Sequence, residues 1–354
     1  MDPREFSENL LAWFARHGRQ HLPWAQDPTP YRVWISEVML QQTQVVTVMP
    51  YYQRFMARFP SVESLASAPL DEVLHLWTGL GYYARARNLH ACAKAVVDEF
   101  GGVFPTDLEG LMALPGLGRS TAAAILALSG NQRQTILDGN VKRVIARVFG
   151  IDGDPSSNAV LKELWLQAEA CTPQEHVAAY TQAIMDLGAT LCVRSRPACT
   201  VCPMNLGCIA AREGRQAELP GKKQRRHRPS CEATLLIAQA GADDSAAVFV
   251  QRRPASGLWG GLWSPPQFDD EAAALQWCAQ EIGVPDGGSQ LMTPIEHAFT
   301  HFDLRLKPLR VRCRPRSEIK DGEQLWYQLE SPPKIGLPQP ILKLFERLRA
   351  NPHL

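Results

Sequence analysis

Apolar positions in the first two hundred residues recur at helical spacing, with no sustained alternation at period two. Phe6, Leu10, Trp13 and Phe14 predict a helix over Pro3–His17. Pro23, Pro28 and Pro30 make the next stretch an extended connection. A second helix starts near Pro30 and carries Trp34, Ile35, Val38 and Met39, with Glu37 among them. Gln41–Gln44 breaks the apolar pattern ahead of a third helix. Further helices are expected over 69–77, 82–100, 140–149, 156–170 and 173–187, the last stopping at Gly188, and Thr106–Glu109 reads as a capping box. From about Cys231 the period shortens. Strands are expected at Ala233–Gln239, Ala246–Arg252, near Ile295–Val311 and at Gln324–Leu329, with helices over Asp270–Ile282 and Pro340–Arg349 and a turn-rich aromatic loop at Gly257–Trp263. The pattern is an all-α domain followed by an α+β domain of about 120 residues, large enough for its own core.

Composition adds little. The 354 residues are 45% hydrophobic and 21% charged, with net charge +1, so a polyanion-binding surface must be local. MDPREFSENL carries acids and no apolar run, and no segment approaches the ~18 apolar residues of a membrane span. A cytoplasmic protein without an export signal and without membrane contact is expected. Of nine cysteines, four crowd into Cys192–Cys208, which argues for metal over disulfides.

Several stretches carry candidate chemistry. Leu114-Pro115-Gly116-Leu117-Gly118 is a glycine hairpin leading into a helix whose first turn holds Ser120 and Thr121. Glycines permit close backbone approach, and a helix start offers unpaired N–H groups suited to phosphate. Asp138 follows beside Gly139 and Asn140, where a simple helix cap is the plain alternative. Cys192-x6-Cys199-x2-Cys202-x5-Cys208 has one C-x2-C knuckle where zinc sites usually have two, and suits a [4Fe–4S] cluster better. Arg212–Arg228 holds seven Lys/Arg against two acids and reads either as a phosphate-facing linker or as a solvated one. By itself, Glu37 is expected on the wet face of its helix, since burying a lone carboxylate is costly.

In order, these motifs, with Ser36–Gln44 and Leu80–Leu89, closely resemble the MutY family of adenine DNA glycosylases in the helix-hairpin-helix superfamily, over nearly the whole chain. The resemblance implies a catalytic helix-hairpin-helix domain at 1–218 with the cluster loop at 192–208, a basic linker at 219–230, and a Nudix-like 8-oxoguanine recognition domain at 231–354. It implies base-excision repair on duplex DNA, by a monomer that flips and removes adenine mispaired with 8-oxoguanine or guanine. Glu37 would protonate the base, Asp138 would stabilise an oxocarbenium-like sugar, and Asn140 would hydrogen-bond nearby. Gln42 and Tyr82 match intercalating positions. Gly116, Gly118 and the helix start at Ser120 would grip phosphate, Thr300 and His301 would touch the oxidised base, and Cys192, Cys199, Cys202 and Cys208 would hold a structural [4Fe–4S] cluster, with zinc the alternative. Bifunctional relatives carry Lys where this chain has Ser120, so a monofunctional enzyme is expected. Thr300 stands where relatives usually have Ser, keeping the hydroxyl and adding a methyl; Thr300 and His301 read otherwise as ordinary strand residues. Glu271–Glu281 lacks the R-E-x-x-E-E cluster of a working Nudix hydrolase, so pyrophosphatase activity is not expected. The rival readings are a glycosylase/lyase of the endonuclease III type and a lesion binder without chemistry.

Overall fold

The structure, a computed structural model, describes residues 1–221, 227–241, 247–315 and 322–350. Two compact units emerge: Met1–Ser67 with Asn88–Arg225, and Ala68–Arg87 with Arg226–Leu354. No helix among the described residues is long and apolar enough to cross a membrane.

The first unit is helical. α1 (Pro3–His17) starts on Asp2, whose carboxylate accepts from the Arg4 N–H at 2.8 Å. α2 (Pro30–Leu40) is capped by Thr29, and α3 (Val45–Arg58) follows the glutamine stretch. α4 (Val62–Ala66), closed by a Ser61/Ser64 capping box, is too short to leave an apolar period and was not expected. α5 (Leu70–Trp77) belongs to the second unit, and α6 (Ala84–Phe100) leads the chain back. α7 (Leu108–Ala113) is capped by Asp107, which accepts from the Gly110 N–H at 2.8 Å, one residue later than the expected Thr106 box. α8 (Arg119–Gly130), α9 (Gly139–Phe149), α10 (Asn158–Cys171), α11 (Val177–Thr190) and α12 (Ile209–Glu213) complete the unit. α11 runs through Gly188 instead of stopping there. The core gathers Phe6, Leu10, Val144, Ile145, Tyr180 and Leu187, among others. The alanine face of α8 is buried, which lets α2 and α11 pack on it closely.

The second unit is built on a mixed sheet. Its strands are β1 (Ser230–Ala240), β2 (Ala247–Arg252), β3 (Trp263–Ser264), β4 (Gln267–Phe268), β5 (Gly283–Leu291), β6 (Ile295–Ala298), β7 (Asp303–Pro315) and β8 (Gln324–Gln328). The order is β3-β2-β1-β7-β5, with β4 on β1, β6 on β7 and β8 on β2. β1 and β7 pair in parallel from Ser230↔Asp303 to Gln239↔Arg312. The strand region expected near Ile295–Val311 is two antiparallel strands, β6 and β7, with Ala298 opposite Asp303. α13 (Glu271–Trp277), continued by a wider turn over Cys278–Ile282, covers Leu236, Phe249 and Val311, and α14 (Gln339–Ala350) closes the described chain.

Ala68–Arg87 folds with this sheet although the sequence suggested an unbroken helical domain through residue 218. Asp71 accepts from both Arg252 terminal nitrogens at 2.9 and 2.6 Å and from the Trp263 indole at 3.1 Å. The Tyr83 hydroxyl donates to Leu337 O at 2.9 Å, and Arg87 donates to Gly260 O at 2.6 Å. In the basic run after the cysteines, Arg215 pairs with Glu213, Glu218 and Asp152. Residues 222–226 of that run lie outside the described residues.

Candidate active site

Glu37 is half-buried rather than set on a wet face. α2 buries Val33, Trp34, Ile35, Ser36, Val38 and Met39, so the carboxyl projects from a helix that is apolar nearly all round. Burial pushes it up to about 8, and the nearby charge of Asp138 pushes the same way. A carboxyl so placed is protonated at neutral pH. At the end of α2, Gln41 donates to the Thr121 hydroxyl of α8 at 3.4 Å.

Asp138 is the N-cap of α9 and accepts from the Val141 N–H at 2.8 Å. Burial raises its pKa, opposed by hydrogen bonds from the Val141 and Asn140 N–H groups and by the charges of Arg143 and Lys142. The Leu137 N–H donates to the Ser120 hydroxyl at 3.0 Å, so the first turn of α8 ties down the chain leading into Asp138. Gly116 has φ +78°, and a Cβ there would sit 2.7 Å from the Asn88 Cβ, so both backbone and space require glycine. Gly118, the N-cap of α8, supplies no side-chain cap and faces open space, leaving the N–H groups of the first turn without one.

Arg143 connects this region to the cysteine loop. It donates to the Asn140 side-chain oxygen and to Gly188 O, each at 2.8 Å, and to Cys192 O at 2.7 Å. Gly188 sits inside α11 because a Cβ there would come 2.7 Å from the Asn140 Cβ. One helical turn on, the buried Arg147 donates to Leu219 O at 2.9 Å, to Val193 O and Gln216 O at 2.7 Å, and to Arg194 O at 3.1 Å. Sequence reasoning missed Arg143, Arg147 and Gly188. For Arg147 a signal exists, since it is a charge inside the apolar run Val144–Phe149.

Cys192, Cys199, Cys202 and Cys208 line one pocket with Arg147 and Met204. Burial pushes the Cys202 thiol up to about 11, and the other three thiols, each within electrostatic reach of it, add to the rise. Among the described residues, no group of three or more His, Cys, Asp or Glu is set to hold a metal ion.

The remaining candidates divide between the units. Gln42, in the first, is exposed with φ +58°. Tyr82, in the second, is 51% exposed with φ +50°, and the Arg85 guanidinium lies between its ring, at 5.5 Å, and the Trp77 ring, at 5.4 Å. Left-handed backbone is costly for residues of this bulk and clusters at functional sites. Thr300 and His301 form the exposed tip of the loop between β6 and β7, not strand residues, and the loop is closed by Phe299 N–H to Phe302 O at 2.8 Å. Glu37, Ser120, Asp138 and Asn140 thus come together in the first unit, while Tyr82, Thr300 and His301 belong to the second.

Comparison with known proteins fits this geometry. Residues 35–169 match the HhH-GPD superfamily of base excision DNA repair proteins, and residues 235–347 match the NUDIX domain. An adenine DNA glycosylase of Buchnera aphidicola is 37% identical over 348 residues, covering 98% of each chain. A thermostable thymine-DNA glycosylase superposes with TM-score 0.54 at 28% identity over 60% of this chain and 97% of its own. An endonuclease III–DNA covalent intermediate shares the fold, with TM-score 0.52 at 23% identity over 60% of this chain and 96% of its own. An HhH-GPD domain, a Nudix domain and near full-length identity to a curated relative identify the chain as a member of the adenine DNA glycosylase (MutY) family, enzymes that hydrolyse N-glycosyl bonds in base excision repair.

Proposed function

We propose that this glycosylase removes adenine mispaired with 8-oxoguanine, or with guanine, from duplex DNA, acting as a monofunctional monomer. The observation that carries the chemistry is the pair Glu37 and Asp138, one carboxyl pushed up to about 8 and the other held at a helix N-terminus. Glu37 donates its proton to the flipped base, most simply at N7. The C1′–N9 bond then breaks with its electron pair leaving on adenine. Asp138, which burial pushes toward its neutral form and two N–H groups and two cations pull back toward the anion, stabilises the positive charge left on the sugar. Glu37, now ionised, takes a proton from the attacking water, which restores both groups. Asn140, held by Arg143, orients the same face. Ser120 offers no amine for a Schiff base, so the strand stays intact after base loss. Gln42 and Tyr82 fill the gap left by the flipped base, the N-terminus of α8 with Gly116 and Gly118 holds phosphate, and Thr300 and His301 meet the oxidised base.

The four loop cysteines fit a [4Fe–4S] cluster. They are soft donors lining one pocket, and a cubane takes its thiolates at a wider spacing than a single tetrahedral ion. The cluster would supply a structural core for the loop, whose carbonyls Arg147 and Arg143 gather.

Single-turnover cleavage of a duplex with one adenine opposite 8-oxoguanine tests the reading, each sample split with and without alkali. Breaks that require alkali, and that vanish in Glu37→Gln and Asp138→Asn, are expected. Tight binding without an abasic product would overturn both carboxylate roles, and alkali-independent breaks would overturn monofunctional action.

A further inference from the structure

Trp259 is buried, at 8% exposure, yet its backbone sits at φ +54°. This is an expensive conformation for an indole-bearing residue, and it persists only where the surroundings impose it. They do so here. Arg253 accepts at its carbonyl from the Gly261 N–H at 3.2 Å and donates through Nε to Leu258 O at 2.8 Å, while the Leu262 N–H closes onto Trp259 O at 3.0 Å. Gly260 packs so tightly that a Cβ would fall 2.3 Å from Ala255 O.

The indole so aimed meets the base of the β6–β7 loop. Its ring centroid lies 6.1 Å from His297 and 5.9 Å from Phe299. His297 and Phe299 meet edge-on at 4.5 Å, and Phe299 stacks on Phe302 at 4.7 Å with 21° between planes. The His297, Phe299 and Phe302 rings therefore flank the two exposed residues Thr300 and His301 in sequence, and Trp259 packs against the first two of them. Arg228 adds a polar clamp, donating to Phe299 O at 3.2 Å and approaching the Asp303 carboxylate at 3.7 Å. Tight aromatic packing beneath a four-residue tip is an arrangement that fixes where the tip's side chains project.

We propose that Trp259 is a positioning residue for lesion recognition: through the His297, Phe299 and Phe302 rings it holds the Thr300–His301 tip ready for the base opposite adenine. This rests on the reading that the tip touches the oxidised base. Trp259 itself touches no DNA. It lowers the ordering cost that a loose tip would meet on binding, and so sharpens discrimination between 8-oxoguanine and guanine.

The test compares full-length wild type with Trp259→Gly, which suits the left-handed backbone, and Trp259→Phe, which keeps a smaller ring. Amide exchange is read at Phe299 and along β7, and affinity is read for duplexes carrying a cleavage-resistant 2′-fluoro adenosine opposite 8-oxoguanine or guanine. In Trp259→Gly, exchange at Phe299 is expected to rise about tenfold or more while β7 keeps its protection, and the 8-oxoguanine-to-guanine affinity ratio to fall about fivefold or more. Trp259→Phe falls between. Unchanged exchange at Phe299 overturns the support role. Raised exchange with an unchanged ratio overturns the specificity role, provided Thr300→Val with His301→Ala lowers that ratio. If that double variant keeps the wild-type ratio, the reading of the tip itself fails, and the exchange arm still decides whether Trp259 orders it. Loss of β7 protection in Trp259→Gly transfers the decision to Trp259→Phe.

Discussion

Glu37 is kept protonated by its surroundings, and that carries a cost in stability. A carboxyl whose ordinary value is 4.5 in the unfolded chain and about 8 in the folded one contributes nothing unfavourable below about pH 4.5. Between those values the unfolded chain ionises freely while the folded one resists, so the native state loses ground as pH rises, and the loss is complete above about pH 8. Glu37→Gln should therefore melt higher than wild type at pH 9, by up to a few kcal/mol of stability, and the same as wild type at pH 4. Thermal melts at the two pH values check this; equal melting at pH 9 would show the carboxyl to be solvated. Catalysis should follow the same group, with the single-turnover rate falling as pH rises through about 8. Gly188→Ala makes a second point. The added methyl meets Asn140, so a cost of about 1–3 kcal/mol and a slower excision step are expected with DNA affinity little changed. The acids were legible in the sequence as residue types at their spacing. Taken alone, Glu37 pointed to a wet face, because its burial depends on helices that pack around α2 from elsewhere in the chain.

The first turn of α8 is tied to the chain entering α9 by a hydrogen bond from the Leu137 N–H to the Ser120 hydroxyl. Ser120→Ala leaves that buried N–H unpaired and should cost about 1–3 kcal/mol by denaturant unfolding, whereas Ser120→Thr should retain most of it. The cysteine loop hangs on Arg147 in the same way. Arg147→Met orphans several carbonyls at once, and loss of the loop's protection from proteolysis is expected. Elements with long apolar periods were read closely, α1 to the residue. β5 left no trace because Gly283–Leu291 is rich in Gly, Pro and Asp and is defined by its pairing with β7 alone. α7 began one residue late because Asp107, a better cap than Thr106 there, took the N–H groups.

At the scale of the whole molecule, the two domain families were visible as a switch in period near residue 231, but the membership of Ala68–Arg87 was not. Asp71 and Arg252 are distant in sequence, and nothing local marks their pairing. Asp71→Ala should remove three hydrogen bonds, raise amide exchange over 70–77 and cost about 1–3 kcal/mol in the second unit. Unchanged exchange there would mean that α5 is held by packing alone. The threading of the chain out through residue 68 and back at residue 87 also bears on engineering. A chimera that swaps in only the C-terminal segment of a relative would inherit a sheet cut to fit a different α5. Such grafts should succeed when the stretch around Asp71 and Tyr83 travels with its sheet, making these two distant pieces of sequence a single transplantable part.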